Sequence, residues 1–295
     1  MIERHEEIIT VMAEHAGFCF GVKRAVDAIE HALHDNSEVW TIGLPIHNPQ
    51  EVARLQAMGL RVANSEEDIP SGAKVLIRAH GESLDVIERL KSRGVSVEDM
   101  TCPFVRKAQD TAAELSRKNY HVVLLGDKNH PEIKGIIGHT AKPENVDVIA
   151  NEAEARNITR HARIALVSQT TQREERLSLV AGILALKCSE LHVCNTICKA
   201  TSERQEAVRE LVRNHDVDGV VLIGGKQSAN TGKLRDIITS EGVSVLWVED
   251  EKDIDNAENW FMAKYRIGIA AGASTPGWLI DKISNIIADK VVKGV

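Results

Sequence analysis

Cys19, Cys102 and Cys198 constrain this 295-residue chain more than any other feature, because each stands where a strand-like run gives way to a helical one. Ahead of Cys19, Ile8-Ile9-Thr10-Val11-Met12-Ala13 has the length and β-branching of a buried strand. Beyond it, Val22, Ala25, Val26, Ile29 and Leu33 recur with the period of a helix. Gly17 and Gly21 flank this cysteine and let the backbone approach whatever the sulfur holds. A strand at Val95–Val97 leads to Thr101-Cys102-Pro103, where proline suits the first position of a helix running through Val105, Ala108 and Leu115. A short strand, Leu191-His192-Val193, leads to Cys198 and a helix over about 202–213. In open α/β sheets this edge, where strands end and helices begin, is where ligands bind.

Between the cysteines the same pattern recurs. The strand Glu38–Ile42 ends in the loop Pro45-Ile46-His47-Asn48-Pro49, and Lys74–Arg78 ends in Ala79-His80-Gly81. His121–Leu125 feeds the loop from Gly126 to Glu132, and Ile164–Val167 feeds Ser168-Gln169-Thr170-Thr171. Val220–Ile223 feeds the loop from Gly224 to Asn230, Ile267–Ala270 feeds Ala271 to Pro276, and an amphipathic helix covers about 277–291. Strands alternating with helices imply parallel sheets. The expected fold is therefore α/β, with three small parallel-sheet modules in a pseudo-threefold ring that brings three cysteine loops and six polar loops to one centre. The modules are placed at 14–101, 102–197 and 198–280, with an N-terminal strand within 1–13 closing the ring onto the third and a C-terminal helix and tail over 281–295.

Hydrophobic residues make up 43% of the chain and charged residues 27%, the balance of an ordinary globular protein. Aromatics are only 3%, so the core must be aliphatic. Three of the four phenylalanines, Phe18, Phe20 and Phe104, lie within two residues of Cys19 or Cys102. They read either as rings that keep water from a thiolate site or as ordinary core anchors. The net charge of −7 and the lack of a basic block argue against nucleic acid as a partner, but not against a small anionic substrate. The N-terminus is too polar for a secretory signal, no apolar run reaches membrane-spanning length, and five widely spaced cysteines suit the reducing cytoplasm.

Three single thiolates suit a zinc ion, an iron–sulfur cluster, or merely structural thiols, and spacing alone does not choose among them. Cys188 reads as a core residue at a helix end and Cys194 as a buried neighbour. Of the twelve histidines, His5, His31, His34, His161 and His215 sit in charged surroundings, and His121, His139 and His192 in or near strands. His47, His80 and His130 differ, each lying in a loop after a strand. Ser228, Asn230 and Ser274 stand in glycine-rich loops that open helices, where N–H groups and hydroxyls cradle phosphate. Glu132 is the one carboxylate placed with these loops, either as an acid with a chemical task or as a solvated side chain.

The motifs Gly17-Phe18-Cys19-x-Gly21-Val22-x-Arg24-Ala25, Ala79-His80-Gly81, Thr101-Cys102-Pro103, His130-Pro131-Glu132, Gln169-Thr170-Thr171, Ile197-Cys198-x-Ala200-Thr201-x-x-Arg204-Gln205-Glu206-Ala207-Val208 and Ala271-Gly272-Ala273-Ser274 resemble, in this order, the 4-hydroxy-3-methylbut-2-enyl diphosphate reductase family. That resemblance covers nearly the whole chain. It implies a trefoil around a [4Fe–4S] cluster held by Cys19, Cys102 and Cys198. It also implies reduction of an allylic diphosphate to isopentenyl and dimethylallyl diphosphates, the last step of the non-mevalonate isoprenoid pathway, with a ferredoxin or flavodoxin as electron donor. Carried over by position, His47, His80, His130, Ser228, Ala229, Asn230 and Ser274 would bind the diphosphate. Glu132 would supply a proton, with Thr170 placing the hydroxyl and relaying the proton and His130 beside them.

Two positions depart from the family pattern. Ala229 stands where some members have serine, and Glu14-His15 stand where others have proline and arginine. Two rival readings are a zinc hydrolase of a phosphorylated metabolite and a non-catalytic iron–sulfur sensor of a diphosphate. Visible absorbance of anaerobic protein separates iron–sulfur from zinc, and reductive turnover separates enzyme from sensor.

Overall fold

The computed structural model describes residues 9–35, 38–262 and 264–292, the side chains of 290–292 excepted. Residues 1–8, with Ile8 of the expected first strand and His5, lie outside it, as do residues 293–295 of the expected tail. The described strands are β1 (Ile9–Met12), β2 (Val39–Ile42), β3 (Leu60–Ala63), β4 (Lys74–Ile77), β5 (Ser96–Asp99), β6 (His121–Leu125), β7 (Val146–Ile149), β8 (His161–Ser168), β9 (Cys188–Cys194), β10 (Gly219–Ile223), β11 (Ser244–Val248) and β12 (Arg266–Ala271). The helices are α1 (Phe20–Asp35), α2 (Pro49–Ala57), α3 (Leu84–Ser92), α4 (Pro103–Arg117), α5 (Pro131–Ile137), α6 (Glu152–Asn157), α7 (Glu174–Ala185), α8 (Lys199–Asn214), α9 (Ala229–Ser240), α10 (Glu251–Asp255), α11 (Glu258–Phe261) and α12 (Gly277–Val292).

The strands form three four-stranded sheets, ordered β3-β2-β4-β5, β7-β6-β8-β9 and β11-β10-β12-β1, and every pairing is parallel. Each sheet thus has the same order: second strand, first, third, then the strand that runs into a cysteine. In the third sheet β1 fills that last place, with Ile9 opposite Arg266 and Met12 opposite Ile269. The fold is therefore α/β with three small parallel sheets, as the alternation of strands and helices predicts. The difference lies in the count. Strands β3, β7 and β11, and helices α5, α6, α10 and α11, are not marked by the sequence pattern.

The chain divides into two compact units. One comprises residues 1–20, 47–53 and 199–295, and the other 21–46 and 54–198. In the first unit, Val221, Ile223, Ile267 and Ile269 pack against Leu279, Ile283 and Ile287 of α12, while Val220, Leu222 and Ala270 pack against α8 and α9. In the second, β6 and β8 are sandwiched: Val122, Leu124, Ala165 and Val167 face α4 and α5, and Val123, Leu125, Ile164 and Leu166 face α6 and α7. Central strands covered on both faces carry no polar alternation, which explains the unbroken Val-Val-Leu-Leu run. Each fully buried Val, Leu or Ile there is worth roughly 1.5–3 kcal/mol relative to exposure. Phe20 and Phe104 are instead exposed, so of the four phenylalanines Phe261 is the buried core anchor. No helix among the described residues is long and apolar enough to cross a membrane.

Candidate active site

The three cysteines share one local geometry. The backbone N–H of Cys19 donates to Ala273 O, that of Cys102 to Ala79 O and that of Cys198 to Thr170 O, each at 3.0 Å. Each acceptor lies two residues past the third strand of a sheet: β12, β4 or β8. Each cysteine also immediately precedes a helix, α1, α4 or α8, whose N-terminal end favours negative charge. All five cysteines are unbridged and half-buried.

The loops repeat as closely. The N–H of Gly43, Gly126 and Gly224 donates to Ala63 O, Ile149 O and Val248 O at 2.8, 2.8 and 2.9 Å. Each of these bonds ties the start of a first-strand loop to the end of β3, β7 or β11. Five residues beyond β2, β6 and β10 stand His47, His130 and Ser228. Three residues beyond β4, β8 and β12 stand His80, Thr171 and Ser274. Strands end where they do, and these side chains fall at matching loop positions, because the register of each sheet is the same.

In the unit containing residues 199–295, Ser274 Oγ donates to His47 O at 3.1 Å. The same carbonyl lies so close to Gly225 that any Cβ there would overlap it. Ser228 is the N-cap of α9, its Oγ accepting from Thr231 N at 3.3 Å. Ala229 and Asn230 therefore lie in the first helical turn. Both polar atoms of the Asn230 side chain are buried without a hydrogen-bond partner in the protein. An orphaned buried amide costs about 1–3 kcal/mol, so a ligand is the natural source of its partners. Arg204 of α8 fixes the cysteine loop, donating to Gly17 O at 2.7 Å and to Ala200 O at 3.0 Å. His15 in that loop adopts a left-handed backbone, φ 57°, at the Glu14-His15 departure.

In the other unit, Glu132 lies in the first turn of α5 and is 2% exposed, so it is neither in a loop nor solvated. Its Oε1 accepts from Thr170 N at 2.7 Å and its Oε2 from Thr170 Oγ1 at 2.8 Å. Burial pushes its pKa up to about 7, against the two Thr170 bonds that favour the carboxylate. His130, the N-cap of α5, accepts from Glu132 N at Nδ1, 3.1 Å away, which leaves the ring proton of the neutral form on Nε2. The His80 and His130 rings meet edge to face, centroids 5.4 Å apart. Gly21 sits against Cys102, where a Cβ would come within 2.5 Å of the sulfur. Arg24 of α1 donates to Thr101 O at 3.0 Å and steadies that cysteine's loop.

Several neighbours escape motif reading. Thr171 occupies the position equivalent to His80 and Ser274, and its Oγ1 is buried without a partner. Aligning the three repeats by strand end would have found it. Gln109 of α4 is fully buried, both amide atoms lack partners, and its Nε2 fills the space a Cβ on Gly81 would need. Its signal was a polar residue within the apolar stripe Val105, Ala108, Ala112. Cys188 is the first residue of β9 rather than the end of a helix, Cys194 is the last residue of the same strand, and both are half-buried. The Cys188 thiol is directed at Leu184 O, and burial pushes the Cys194 thiol up.

Three parallel α/β sheets of one topology, each running a strand toward a cysteine at a helix start and opening polar loops beyond its strands, define a cysteine-bearing α/β protein of three like modules. The LytB protein family matches residues 10–288, and the chain belongs to it. The 4-hydroxy-3-methylbut-2-enyl diphosphate reductases of Aquifex aeolicus and Geobacter sulfurreducens are each 41% identical to it. Those matches cover 95% and 92% of this chain, and 96% and 94% of the relatives. A solved structure of (E)-4-hydroxy-3-methyl-but-2-enyl diphosphate reductase, described as the terminal enzyme of the non-mevalonate pathway, is 40% identical with a TM-score of 0.68, over 96% of this chain and 99% of that one. The Plasmodium falciparum reductase structure, 24% identical, shares the fold with a TM-score of 0.88, over 95% of this chain and 88% of that one. Membership in this family implies an iron–sulfur cluster. The chemistry of each cysteine loop is compatible with one: a sulfur donor that precedes a helix and is held by an equivalent amide bond in each module, with a glycine making room for the sulfur of Cys102.

Proposed function

We propose that this chain is a 4-hydroxy-3-methylbut-2-enyl diphosphate reductase, removing the allylic hydroxyl of its substrate with two electrons and two protons. The products are water and the isomeric isopentenyl and dimethylallyl diphosphates. Cys19, Cys102 and Cys198 hold a [4Fe–4S] cluster, which when bound supplies the electrons and a Lewis-acidic iron for the departing oxygen. A ferredoxin or flavodoxin delivers the electrons, and five unbridged thiols suit a reducing cytoplasm.

The protein's own contribution is binding and proton delivery. His47, His80 and His130 with Ser228, Asn230 and Ser274 hold the diphosphate through neutral or charge-assisted donors, and Ala229 contributes its backbone alone. Asn230 brings an amide that the fold leaves unsatisfied. His130, with Nδ1 occupied by the Glu132 N–H, offers Nε2–H.

The observation that carries the reading is the Glu132–Thr170 pair. With Glu132 ionised, the single Thr170 hydroxyl proton points back to Oε2. With Glu132 protonated, the acid hydrogen on Oε2 donates to Thr170 Oγ1, and the threonine hydroxyl turns outward as a donor. Protonating the carboxyl thus converts Thr170 into the next station of a proton path. A hydroxyl is a poor leaving group, and a positioned acid with a pKa near the working pH is what its departure needs. The test is anaerobic turnover of the allylic diphosphate with a reduced low-potential donor, comparing wild type with Glu132→Gln and Thr170→Val. Reductive turnover that falls at least about a hundredfold in Glu132→Gln supports the assignment. Hydrolysis to phosphate by a colourless zinc form, or tight binding without reduction, would support the hydrolase or sensor instead.

A further inference from the structure

At the opposite edge of the β7-β6-β8-β9 sheet from His130 and Thr170, three side chains that the reaction does not use come together. His121 opens β6, His161 opens β8, and Asp147 is the second residue of β7. One potential ligand atom from each lies within 4.8 Å of the other two. His121 Nε2 is 2.8 Å from Asp147 Oδ2, and the two imidazoles stack with centroids 3.7 Å apart and planes 7° from parallel. Thr159 Oγ1 lies 2.9 Å from His161 Nε2 and holds the second ring. Asp147 and Thr159 also line an open cleft of about 320 Å³, shared with Glu154, Asn157 and Ile158.

We propose that His121, Asp147 and His161 form a binding site for a divalent transition metal of the zinc class, separate from the cluster cysteines and the substrate loops. Two imidazoles and one carboxylate are a borderline donor set that zinc accepts readily, whereas magnesium and calcium prefer oxygen alone. Tetrahedral zinc with bonds of about 2.0–2.2 Å places its ligand atoms roughly 3.4 Å apart. The three donors are within reach of that spacing. Binding needs the His121–Asp147 pair to open slightly and the stacked rings to tilt until their lone pairs converge. That tilt turns the χ2 torsion of each histidine, a broad, roughly twofold rotor that yields easily. Thr159 and water remain to orient a ring and complete the coordination, in the manner of outer-shell partners.

The surroundings favour a cation. Stacked imidazoles repel each other once protonated, but a single metal ion can serve both. Cys188, the register partner of His161 on β9, is turned away with its thiol on Leu184 O and takes no part. The metal would tie together the beginnings of three adjacent strands. One of these, β7, lies at the sheet edge, where ladder bonds on one side are missing.

The test is zinc titration by calorimetry on untagged, anaerobically purified, cluster-loaded protein, with melting temperature recorded with and without zinc. Wild type is expected to take up one zinc in the micromolar range and to melt higher with it. Asp147→Asn and His161→Asn, which remove direct ligands, should weaken that uptake by at least the roughly tenfold that loss of an outer-shell partner costs, and abolish the zinc-dependent rise in melting temperature. Cys188→Ser should leave both unchanged. Because the Asp147 carboxylate is half-exposed, Asp147→Asn should retain the metal-free melting temperature and reductive turnover of wild type. Equal zinc affinity in wild type, Asp147→Asn and His161→Asn would overturn the proposal. So would loss of zinc binding in Cys188→Ser alone.

Discussion

Replacing Glu132 by glutamine removes a transferable proton while keeping the shape and the acceptor that meets Thr170 N. The carboxyl is 2% exposed, and its pKa is pushed up to about 7 from an ordinary value of 4.5. Burial is the largest cause, so the acid is poised before any substrate arrives, and a bound diphosphate would raise it further. If turnover needs the protonated form, roughly nine-tenths of the protein is competent one pH unit below 7 and about a tenth one unit above. The kcat/KM for substrate, which reports the free enzyme, measured anaerobically at saturating donor, should therefore be flat below about pH 6.5 and fall with unit slope above about pH 7.5. Glu132→Gln should lose about a hundredfold or more and lose this inflection with it, while retaining the visible spectrum of the cluster.

The same shift has a consequence for stability, with a defined sign. A folded-state pKa raised above the unfolded value stabilises the fold fully below pH 4.5, and that contribution is lost as the pH rises through about 7. The whole span amounts to about 3 kcal/mol, at 1.36 kcal/mol per pKa unit. Between pH 6 and 8 the wild type should therefore lose melting temperature relative to Glu132→Gln. Infrared difference spectra of the two proteins should show a protonated carboxyl disappearing over the same interval. Parallel melting curves together with a pH-independent carboxyl signal would refute the reasoning, and near-normal turnover in Glu132→Gln would put the proton source elsewhere.

Gly21→Ala should lower cluster content measured as iron per chain, because its Cβ would come within 2.5 Å of Cys102 Sγ and displace the sulfur. Cys19→Ser, Cys102→Ser and Cys198→Ser should each lose the cluster absorbance, whereas Cys194→Ser, at the end of β9, should keep it; equal iron loss in Cys194→Ser and Cys198→Ser would count against the ligand set. Ala229→Ser adds one hydroxyl in the first turn of α9, and a neutral hydrogen bond is worth only about 0.5–1.5 kcal/mol. Substrate affinity, read from KM, should thus change by about tenfold or less.

How far these features were legible depends on where each residue sits in its sheet. The central strands β6 and β8 announced themselves because both faces are covered, and aliphatic residues fill the runs Val122–Leu125 and Ile164–Val167. The strands that went unread, β3, β7 and β11, occupy the same sheet edge in all three modules. There one side of the ladder is open, so Arg61 and Asp147 are tolerated and interrupt the apolar pattern of β3 and β7, whereas β11 keeps the apolar run Val245-Leu246-Trp247-Val248 and was legible but unread. The same cause hid the His121–Asp147–His161 group, because one of its members stands on such a strand. His161 read only as one of the histidines in charged surroundings, although its ring lies against His121.

Glu132 illustrates a different limit. Its loop-like surroundings, Asp127-Lys128-Asn129-His130-Pro131, suggest solvent, and no local pattern distinguishes an exposed acid from a buried one. Its burial comes from Thr170, 38 positions away, whose backbone and hydroxyl cap the carboxylate once β6 and β8 pair in register. What sequence does carry is the offset from strand end to side chain. Identical registers put His47, His130 and Ser228 at one offset, and His80, Thr171 and Ser274 at another. Motif by motif, Thr171 is only the tail of Gln169-Thr170-Thr171. Counted from the end of β8, it becomes the counterpart of two proposed diphosphate contacts, with a buried hydroxyl that the fold leaves without a partner.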